Sequence, residues 1–279
     1  MMDLGLRKIT QNLGIKKLIR KNITDLQNLK TSFGVQINNK LDLTGISDQE
    51  IIRLQSLLKH KGMIVIPSHR ILSEEEHLKI TTLFGVPHEK VSYIAPHVKM
   101  SGQFNTTNDT YLSSSLWHSD YSHSKNPAHI SIFQMTDTID QEWETSFISL
   151  HQIYAKLNED VKRRWDGIKV MYSGNDAIHP LLWVHPFTGN PSIYFDFRFA
   201  KEVFDICTNT GEILFKNINE TVSHLNDLFS KKISVYTHRW CSGDIVIIDN
   251  YAISRKESLK PDYSQNASIR RTMTKGVYF

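Results

Sequence analysis

The sequence predicts a mainly β fold with flanking helices (α+β), arranged as a sandwich or jelly roll of two sheets. Short apolar or alternating segments recur through the second half of the chain, and only a few stretches have helical periodicity. The chain has 279 residues, of which 40% are hydrophobic, so it is long enough to bury a substantial core as one domain.

Two helices are predicted ahead of the β-rich region, because two serines begin capping boxes. Ser47 is followed three residues later by Glu50, and Ser73 by Glu76, and each pair opens an apolar-periodic stretch. Between them, residues 63–66 form an apolar run that ends at a proline, which is typical of a buried strand. The pattern therefore predicts a helix, a strand and a second helix in this order.

The β-rich region contains six predicted strands bounded by turn residues. These strands are His129–Met135, Lys169–Tyr172, Ser192–Phe197, Ser234–Trp240, Asp244–Asp249 and Arg270–Phe279. Two predicted helices, Leu150–Arg164 and Asn219–Ser230, interrupt them. We expect residues 1–45 to form a basic N-terminal segment packed on the domain, and residues 46–279 to form that single domain.

The net charge of +4 is modest, but the basic residues are concentrated at the N-terminus. The first 21 residues hold one acidic residue, Asp3, against Arg7, Lys8, Lys16, Lys17, Arg20 and Lys21. Such a cluster fits a basic arm for nucleic acid, an acidic partner or a membrane surface, and equally a solvated helix packed on the domain. Aromatic and basic residues do not alternate near the candidate site, so no nucleic-acid partner is predicted.

Cysteine usage and hydropathy predict a cytoplasmic protein. Cys207 and Cys241 allow at most one disulfide, which is typical of a reducing compartment. No apolar run has the length of a membrane span, so no membrane partner is predicted.

The segment Trp117–Tyr121 holds the strongest candidate for a metal site. On an extended backbone the side chains of His118 and Asp120 project to the same face. With a second histidine from a distant strand they would form the two-histidine, one-carboxylate triad of non-haem Fe(II) oxygenases. The pair alone is weak evidence, because a polar pair in a loop has the same spacing.

Several blocks of the sequence strengthen this interpretation through their order along the chain. They are Trp117–Asp120, Glu144–Phe147 with the following Ser149–Tyr154, the two His-Pro pairs at 179–180 and 185–186 with Ser192–Phe195, and His238–Trp240 with Gly243–Asn250. In this order the blocks resemble the taurine dioxygenase family of Fe(II)- and 2-oxoglutarate-dependent oxygenases, from about Gly62 to Phe279.

The resemblance implies a double-stranded β-helix, which is a jelly roll with the metal between its sheets at one open end. It implies that His118 and Asp120 bind Fe(II) and that Thr145 contacts 2-oxoglutarate. Aligned through residues 271–273, the two arginines of the family fall on Arg271 and Lys275. The implied reaction uses oxygen to hydroxylate or desaturate a small molecule, which loops such as 92–115 would select.

Counted by distance from position 255, Arg270 would instead anchor the cosubstrate carboxylate. Strand alternation separates the two alternatives, because residues two or four apart share a face. We therefore predict that Arg271 and Lys275 point into the barrel and that Arg270 points outward.

The chain departs from the family at the second iron-binding histidine, where it has Arg255. No histidine follows His238. A guanidinium has donors but no lone pair, so it cannot bind a cation. If Arg255 is buried it must be paired, and the available partners are Asp120, Glu257 or an anionic substrate. Glu257 is also an alternative third metal ligand.

Three functions stay open on this evidence. The first is an oxygenase with Fe(II) held by His118, Asp120 and water or an unrecognised ligand. The second is an enzyme on the same scaffold that does not use 2-oxoglutarate, in which Arg255 acts on a substrate carboxylate or phosphate. The third is a non-catalytic relative that acts as a binding or partner subunit. The sequence leaves a homo-oligomer open.

Overall fold

The computed structural model describes residues 25–38, 41–88, 91–94, 116–137, 143–174, 176–206, 213–230, 234–258 and 268–276. The N-terminal basic cluster, Cys207 and most of the loop 92–115 lie outside these ranges, so the predictions that concern them stay predictions.

Five helices occur in the described residues. They are α1 (Asp48–Lys61), α2 (Glu74–Thr82), α3 (Leu150–Ala155), α4 (Glu159–Trp165) and α5 (Ile218–Ser230). Both predicted capping boxes are present at the starts of α1 and α2. The predicted helix Leu150–Arg164 is two helices, because Asn158 caps a new one by accepting a hydrogen bond from the Val161 amide at 2.8 Å. None of the described helices is long and apolar enough to cross a membrane.

Strands make up most of the remaining described structure. They are β1 (Leu26–Asn28), β2 (Val35–Ile37), β3 (Met63–Ile66), β4 (Ser92–Ile94), β5 (Ile130–Met135), β6 (Glu144–Ser149), β7 (Ile168–Tyr172), β8 (Ala177–Pro180), β9 (Leu182–Val184), β10 (Pro191–Ile193), β11 (Ala200–Ile206), β12 (Ile213–Lys216), β13 (Val235–Arg239), β14 (Ile245–Asp249), β15 (Ile253–Ser258) and β16 (Ile269–Met273).

The candidate site lies between two of the sheets. A seven-stranded sheet has the order β1-β2-β3-β14-β5-β16-β4, and a three-stranded sheet has the order β13-β6-β15. Apolar side chains of both sheets share one buried cluster, with Phe133 and Val246 from the large sheet and Phe147 and Ile253 from the small one. The mainly β jelly-roll fold predicted from the sequence is thereby confirmed.

Helices and smaller sheets cover this sandwich. Side chains of α1 and α2 share a second apolar cluster with β2, β3, β5 and β14 of the large sheet. A four-stranded sheet, β12-β11-β7-β8, shares a third cluster with α3, α4 and α5. The strands β1 and β2, from the predicted N-terminal segment, extend the large sheet.

The strand β15 was not among the predicted strands, and it holds Arg255, at which the chain departs from the family. It pairs with β6 so that Arg255 lies opposite Phe147 and Glu257 opposite Thr145. Because alternate side chains share a face, Arg255 and Glu257 lie side by side on one face of β15. Both are buried.

Candidate metal and cosubstrate centre

Backbone pairing places His118 beside Arg255. The His118 amide donates to the Arg255 carbonyl at 2.9 Å, and the Arg255 amide donates to the His118 carbonyl at 2.8 Å. This exchange is an isolated antiparallel bridge on the outer edge of β15. Positions 118 and 255, which are far apart in sequence, are thus fixed as direct neighbours.

The imidazole of His118 is in the form that binds metals. Its Nδ1 lies 2.8 Å from the Leu116 carbonyl oxygen, which can only accept, so Nδ1 holds the proton. Its Nε2 therefore carries a free lone pair, and this buried atom has no hydrogen-bond partner among the described residues. Burial lowers the pKa of His118 well below its usual range, and Arg198 and Arg255 lower it further, so the ring is neutral.

The carboxylate of Asp120 is buried and accepts three side-chain hydrogen bonds. Its Oδ1 accepts from Arg255 and from Arg271, each at 2.9 Å, and its Oδ2 accepts from the Ser131 hydroxyl at 2.8 Å. Burial alone would raise the pKa of Asp120, but Arg255 and then Arg271 outweigh it and hold the pKa well below its usual range. Asp120 is therefore an anion at neutral pH.

Arg255 lies between two carboxylates. Its side chain donates to Asp120 and to Glu257, and its guanidinium lies 4.9 Å from the centre of the Phe133 ring. Burial favours the neutral form of Arg255, but Asp120 and then Glu257 raise its pKa, so it stays charged. Of the three partners predicted for a buried Arg255, these are the two that belong to the protein.

Glu257 is held by a set of donors that surround its carboxylate. Its Oε2 accepts from the Thr145 hydroxyl at 2.6 Å and from the Trp143 indole N–H at 3.3 Å, and its Oε1 accepts from Arg255. The Trp240 indole N–H donates to the Thr145 oxygen at 2.8 Å. Because that oxygen accepts from Trp240, the single hydroxyl proton of Thr145 is directed at Glu257. We call Thr145, Trp143 and Arg255 the carboxylate cradle.

Strand alternation correctly predicts the faces of two of the three basic residues near the end of the chain, Arg270 and Arg271. Arg271 reaches Asp120, whereas Arg270 lies on the opposite face, where it donates to the Leu72 carbonyl and to the Tyr93 hydroxyl. Lys275 lies two residues beyond the end of β16 and is exposed, so the strand alternation that places Arg271 does not extend to it. Arg271 is therefore the basic residue of this strand at the centre.

Two residues of the centre, Ser131 and Asn250, were not among the candidate residues. Asn250 accepts from the Asp120 amide at 3.2 Å and donates to the Ser131 hydroxyl at 2.8 Å, and Ser131 donates in turn to Asp120. The sequence holds a signal for Ser131, because a serine within the apolar strand β5 needs a buried partner.

A second group of histidines and an aspartate, His129, His185 and Asp249, also has its side-chain nitrogens and oxygens within 4.8 Å of one another. Here both ring nitrogens of His185 have hydrogen-bond partners. The Nδ1 of His185 accepts from the amides of Phe187 and Thr188, so its Nε2 bears the proton and donates to Asp249 at 2.9 Å. This nitrogen has no lone pair for a metal, and the group is a structural one.

The residues of the candidate centre fit a metal through two protein ligands and not through three. His118 offers an unpartnered lone pair, and Asp120 offers an anionic carboxylate whose oxygens are shared with arginines. Arg255 offers no lone pair at the third position. Glu257 is also misplaced as a third ligand, because the ligand atoms of His118, Asp120 and Glu257 do not all lie within 4.8 Å of one another. In the described residues only those of His129, His185 and Asp249 do.

Comparisons with known proteins agree with this fold. Two yeast proteins named alpha-ketoglutarate-dependent sulfonate dioxygenases, from Schizosaccharomyces pombe and Saccharomyces cerevisiae, are each 21% identical over 258 residues, covering 82% and 81% of this chain. The chain spans only 64% and 60% of their lengths. The crystal structure of AAD-2 with Mn(II) and N-oxalylglycine superposes with a TM-score of 0.74 at 18% identity, covering 91% of this chain and 97% of that one.

The family profile described as "Taurine catabolism dioxygenase TauD, TfdA family" matches residues 22–254. The match spans most of the chain and ends one residue before Arg255. Enzymes of this family are dioxygenases that use Fe(II) and 2-oxoglutarate, the cofactors predicted from the sequence. The chain belongs to the taurine catabolism dioxygenase TauD, TfdA family.

Proposed function

We propose that this protein is an Fe(II)- and 2-oxoglutarate-dependent oxygenase that hydroxylates or desaturates a small molecule, with His118 and Asp120 as its two protein ligands for the metal. The observation that supports it most is the buried Nε2 of His118, a lone pair without a partner among the described residues. Leaving such an atom unpaired costs free energy, and a metal ion at this position would remove that cost. The adjacent anion of Asp120 provides the negative charge that a cation needs.

When bound, Fe(II) and 2-oxoglutarate would supply the oxygen activation that oxidises the substrate. The residues of the chain would orient the two metal ligands and bind the carboxylates of the cosubstrate. The Leu116 carbonyl fixes the tautomer of His118, and Ser131 with Asn250 fixes Asp120. Arg271 and Thr145 are the residues we assign to the carboxylates of the cosubstrate, since both point at the centre from opposite sheets. Lys275 is exposed and stays a candidate only for contacts at the surface.

Metal content after anaerobic loading with Fe(II) and 2-oxoglutarate tests this function. The wild-type protein should retain about one Fe(II) per chain. His118→Ala should lose both metal and 2-oxoglutarate consumption. His224→Ala is a matched control, because His224 is exposed on α5. Equal metal content and equal cosubstrate consumption in wild type and His118→Ala would refute the proposal.

A second candidate function is favoured by the position of Arg255. In this alternative the ion pairs of Arg255 with Asp120 and Glu257 keep the centre free of metal, and the protein is a binding or partner subunit or an enzyme independent of 2-oxoglutarate. A wild-type protein that retains no metal, and whose thermal stability is unchanged by Fe(II) and 2-oxoglutarate, would support it. The cytoplasmic location and a homo-oligomer stay predictions.

A further inference from the structure

The carboxylate cradle is a complete receptor for a carboxylate, and a side chain of the protein occupies it. A hydroxyl, an indole N–H and a guanidinium converge on the carboxylate of Glu257. The proton of Thr145 is committed to this acceptor, because Trp240 donates to the Thr145 oxygen. Charge-assisted hydrogen bonds of this kind bind carboxylates well, wherever the carboxylate comes from.

We infer that Glu257 is an internal competitor for the carboxylate of the cosubstrate, and that Arg255 and Glu257 together close the centre until a metal ion and the cosubstrate enter jointly. This inference rests on the proposed function, because it takes Thr145 as a contact of 2-oxoglutarate. In this role Glu257 occupies the carboxylate site of the cosubstrate and does not bind the metal.

The balance of charge explains why entry is joint. Four ionic side chains pair with one another at the centre, the anions Asp120 and Glu257 and the cations Arg255 and Arg271, so their formal charges cancel. The neighbouring ion pair of Asp196 and Arg198 adds no net charge. A divalent cation alone would leave two positive charges in excess in a buried site, and the dianion of 2-oxoglutarate alone would leave two negative ones. Only the two together preserve neutrality, and an uncompensated buried charge is costly.

The hydrogen bonds lead to the same conclusion. A metal that binds Asp120 competes with Arg255 for the same carboxylate. A cosubstrate carboxylate at Thr145 displaces Glu257, which is the other partner of Arg255. The incoming carboxylate is then a new partner for the guanidinium. The metal thus frees the guanidinium of Arg255, and the cosubstrate carboxylate gives that guanidinium a new partner. The cosubstrate in turn displaces the anion of Glu257, and the metal ion balances that charge.

Binding measurements on the full-length protein test this inference without relying on turnover. The probes are Mn(II), followed by the EPR signal of the free ion, and 2-oxoglutarate, followed by calorimetry. In the wild-type protein each probe should bind at least about tenfold more tightly in the presence of the other. Equal affinity for Mn(II) with and without 2-oxoglutarate would overturn joint entry.

Two variants of Glu257 test the competition. Glu257→Ala empties the cradle and should tighten binding of 2-oxoglutarate in the presence of Mn(II) by about tenfold or more, the equivalent of one charge-assisted contact. Glu257→Gln keeps the shape of the side chain and should tighten binding by less, which guards against misfolding in the alanine variant. Glu220→Ala, at an exposed position on α5, should change nothing.

The outcomes separate the two proposals. If both Glu257 variants keep the wild-type circular dichroism spectrum and bind 2-oxoglutarate no more tightly, the competitor role is refuted and the proposed function is unaffected. If the variants bind both probes and the wild-type protein binds neither even when both are supplied, competition by Glu257 is supported, but joint entry and the proposed function of the wild-type protein are refuted. If no form binds either probe, both proposals are refuted.

Discussion

Two groups of histidine and aspartate in this protein have similar composition and opposite hydrogen bonding. In the group of His129, His185 and Asp249, His185 uses both ring nitrogens and Asp249 accepts from both histidines. In the centre of His118 and Asp120, one imidazole nitrogen is buried without a partner among the described residues, while the carboxylate is shared by two arginines. In the first group both nitrogens of His185 are already paired. The second has one unpaired acceptor.

The state of the lone pairs distinguishes these two groups, although their residue types do not. Geometry alone selects the group of His129, His185 and Asp249, because its ligand atoms lie within 4.8 Å of one another. The tautomer of His185 removes it, since an amide-bonded Nδ1 forces the proton onto Nε2. The tautomer of His118 has the opposite effect, because its Nδ1 donates to a carbonyl.

The largest expected effect is the loss of function in His118→Ala compared with His185→Ala. Removing the buried, unpaired Nε2 of His118 should lower uncoupled 2-oxoglutarate consumption by on the order of 100-fold or more. His185→Ala should leave consumption per folded protein within about twofold, because His185 binds no metal in this account. A loss of consumption in folded His185→Ala as large as that in His118→Ala would remove the distinction between the groups.

The second effect concerns stability at the centre. Asp120→Ala leaves Arg255 and Arg271 without their shared carboxylate, and breaking a buried ion pair costs about 3 to 5 kcal/mol of unfolding free energy. Denaturant unfolding of the metal-free protein measures it, with Asp160→Ala as a control at an exposed ion pair. A cost of less than about 1 kcal/mol would mean that these arginines are not buried around Asp120.

A smaller effect is expected at the structural group. His185→Ala removes a donor to the buried Asp249 and leaves the amides of Phe187 and Thr188 without their acceptor, which should cost about 1 to 3 kcal/mol. Denaturant unfolding checks this value, and addition of Mn(II) with 2-oxoglutarate should stabilise the variant as much as wild type. Failure of these ligands to stabilise His185→Ala alone would connect this group to the metal after all.

The smallest effect is the pH dependence of the same group. Burial favours protonated Asp249, but hydrogen bonds from His129 and His185 lower its pKa to about 2. Because the folded pKa is depressed, this stabilisation is present above the unfolded value near 3.8 and is lost as pH falls toward 2. The stability advantage of wild type over Asp249→Asn should shrink by about 1.4 kcal/mol per pH unit in this window. An advantage independent of pH would contradict the assignment.

The sequence predicted the elements whose signals are local. The capping boxes at Ser47 and Ser73 and the strand that ends at Asp249 appear as predicted, and His118 with Asp120 shares a site with Arg255. Pairing between strands could not be predicted from the local sequence pattern. The extension of β15, and its register opposite β6 that brings Glu257 to Thr145, depend on pairing between segments more than 100 residues apart.

Arg255 shows both what the residue type can predict and what depends on strand pairing. The residue type alone predicted that a buried guanidinium must be paired with Asp120, with Glu257 or with an anionic substrate. It could not predict that both side chains would be used at once, because that depends on the bridge between His118 and Arg255. The same bridge determines how close the arginine lies to His118 and Asp120.

The number of histidine nitrogens bound to the metal tests the central claim most directly. Protein labelled with ¹⁵N-histidine and loaded with Mn(II) and 2-oxoglutarate can be measured by electron–nuclear double resonance, with Arg255→His as a reference that offers a second imidazole at the third position. We predict one coordinated histidine nitrogen in the wild-type protein, its loss in His118→Ala, and two in Arg255→His. Two histidine nitrogens in the wild-type protein, or one that persists in His118→Ala, would contradict it.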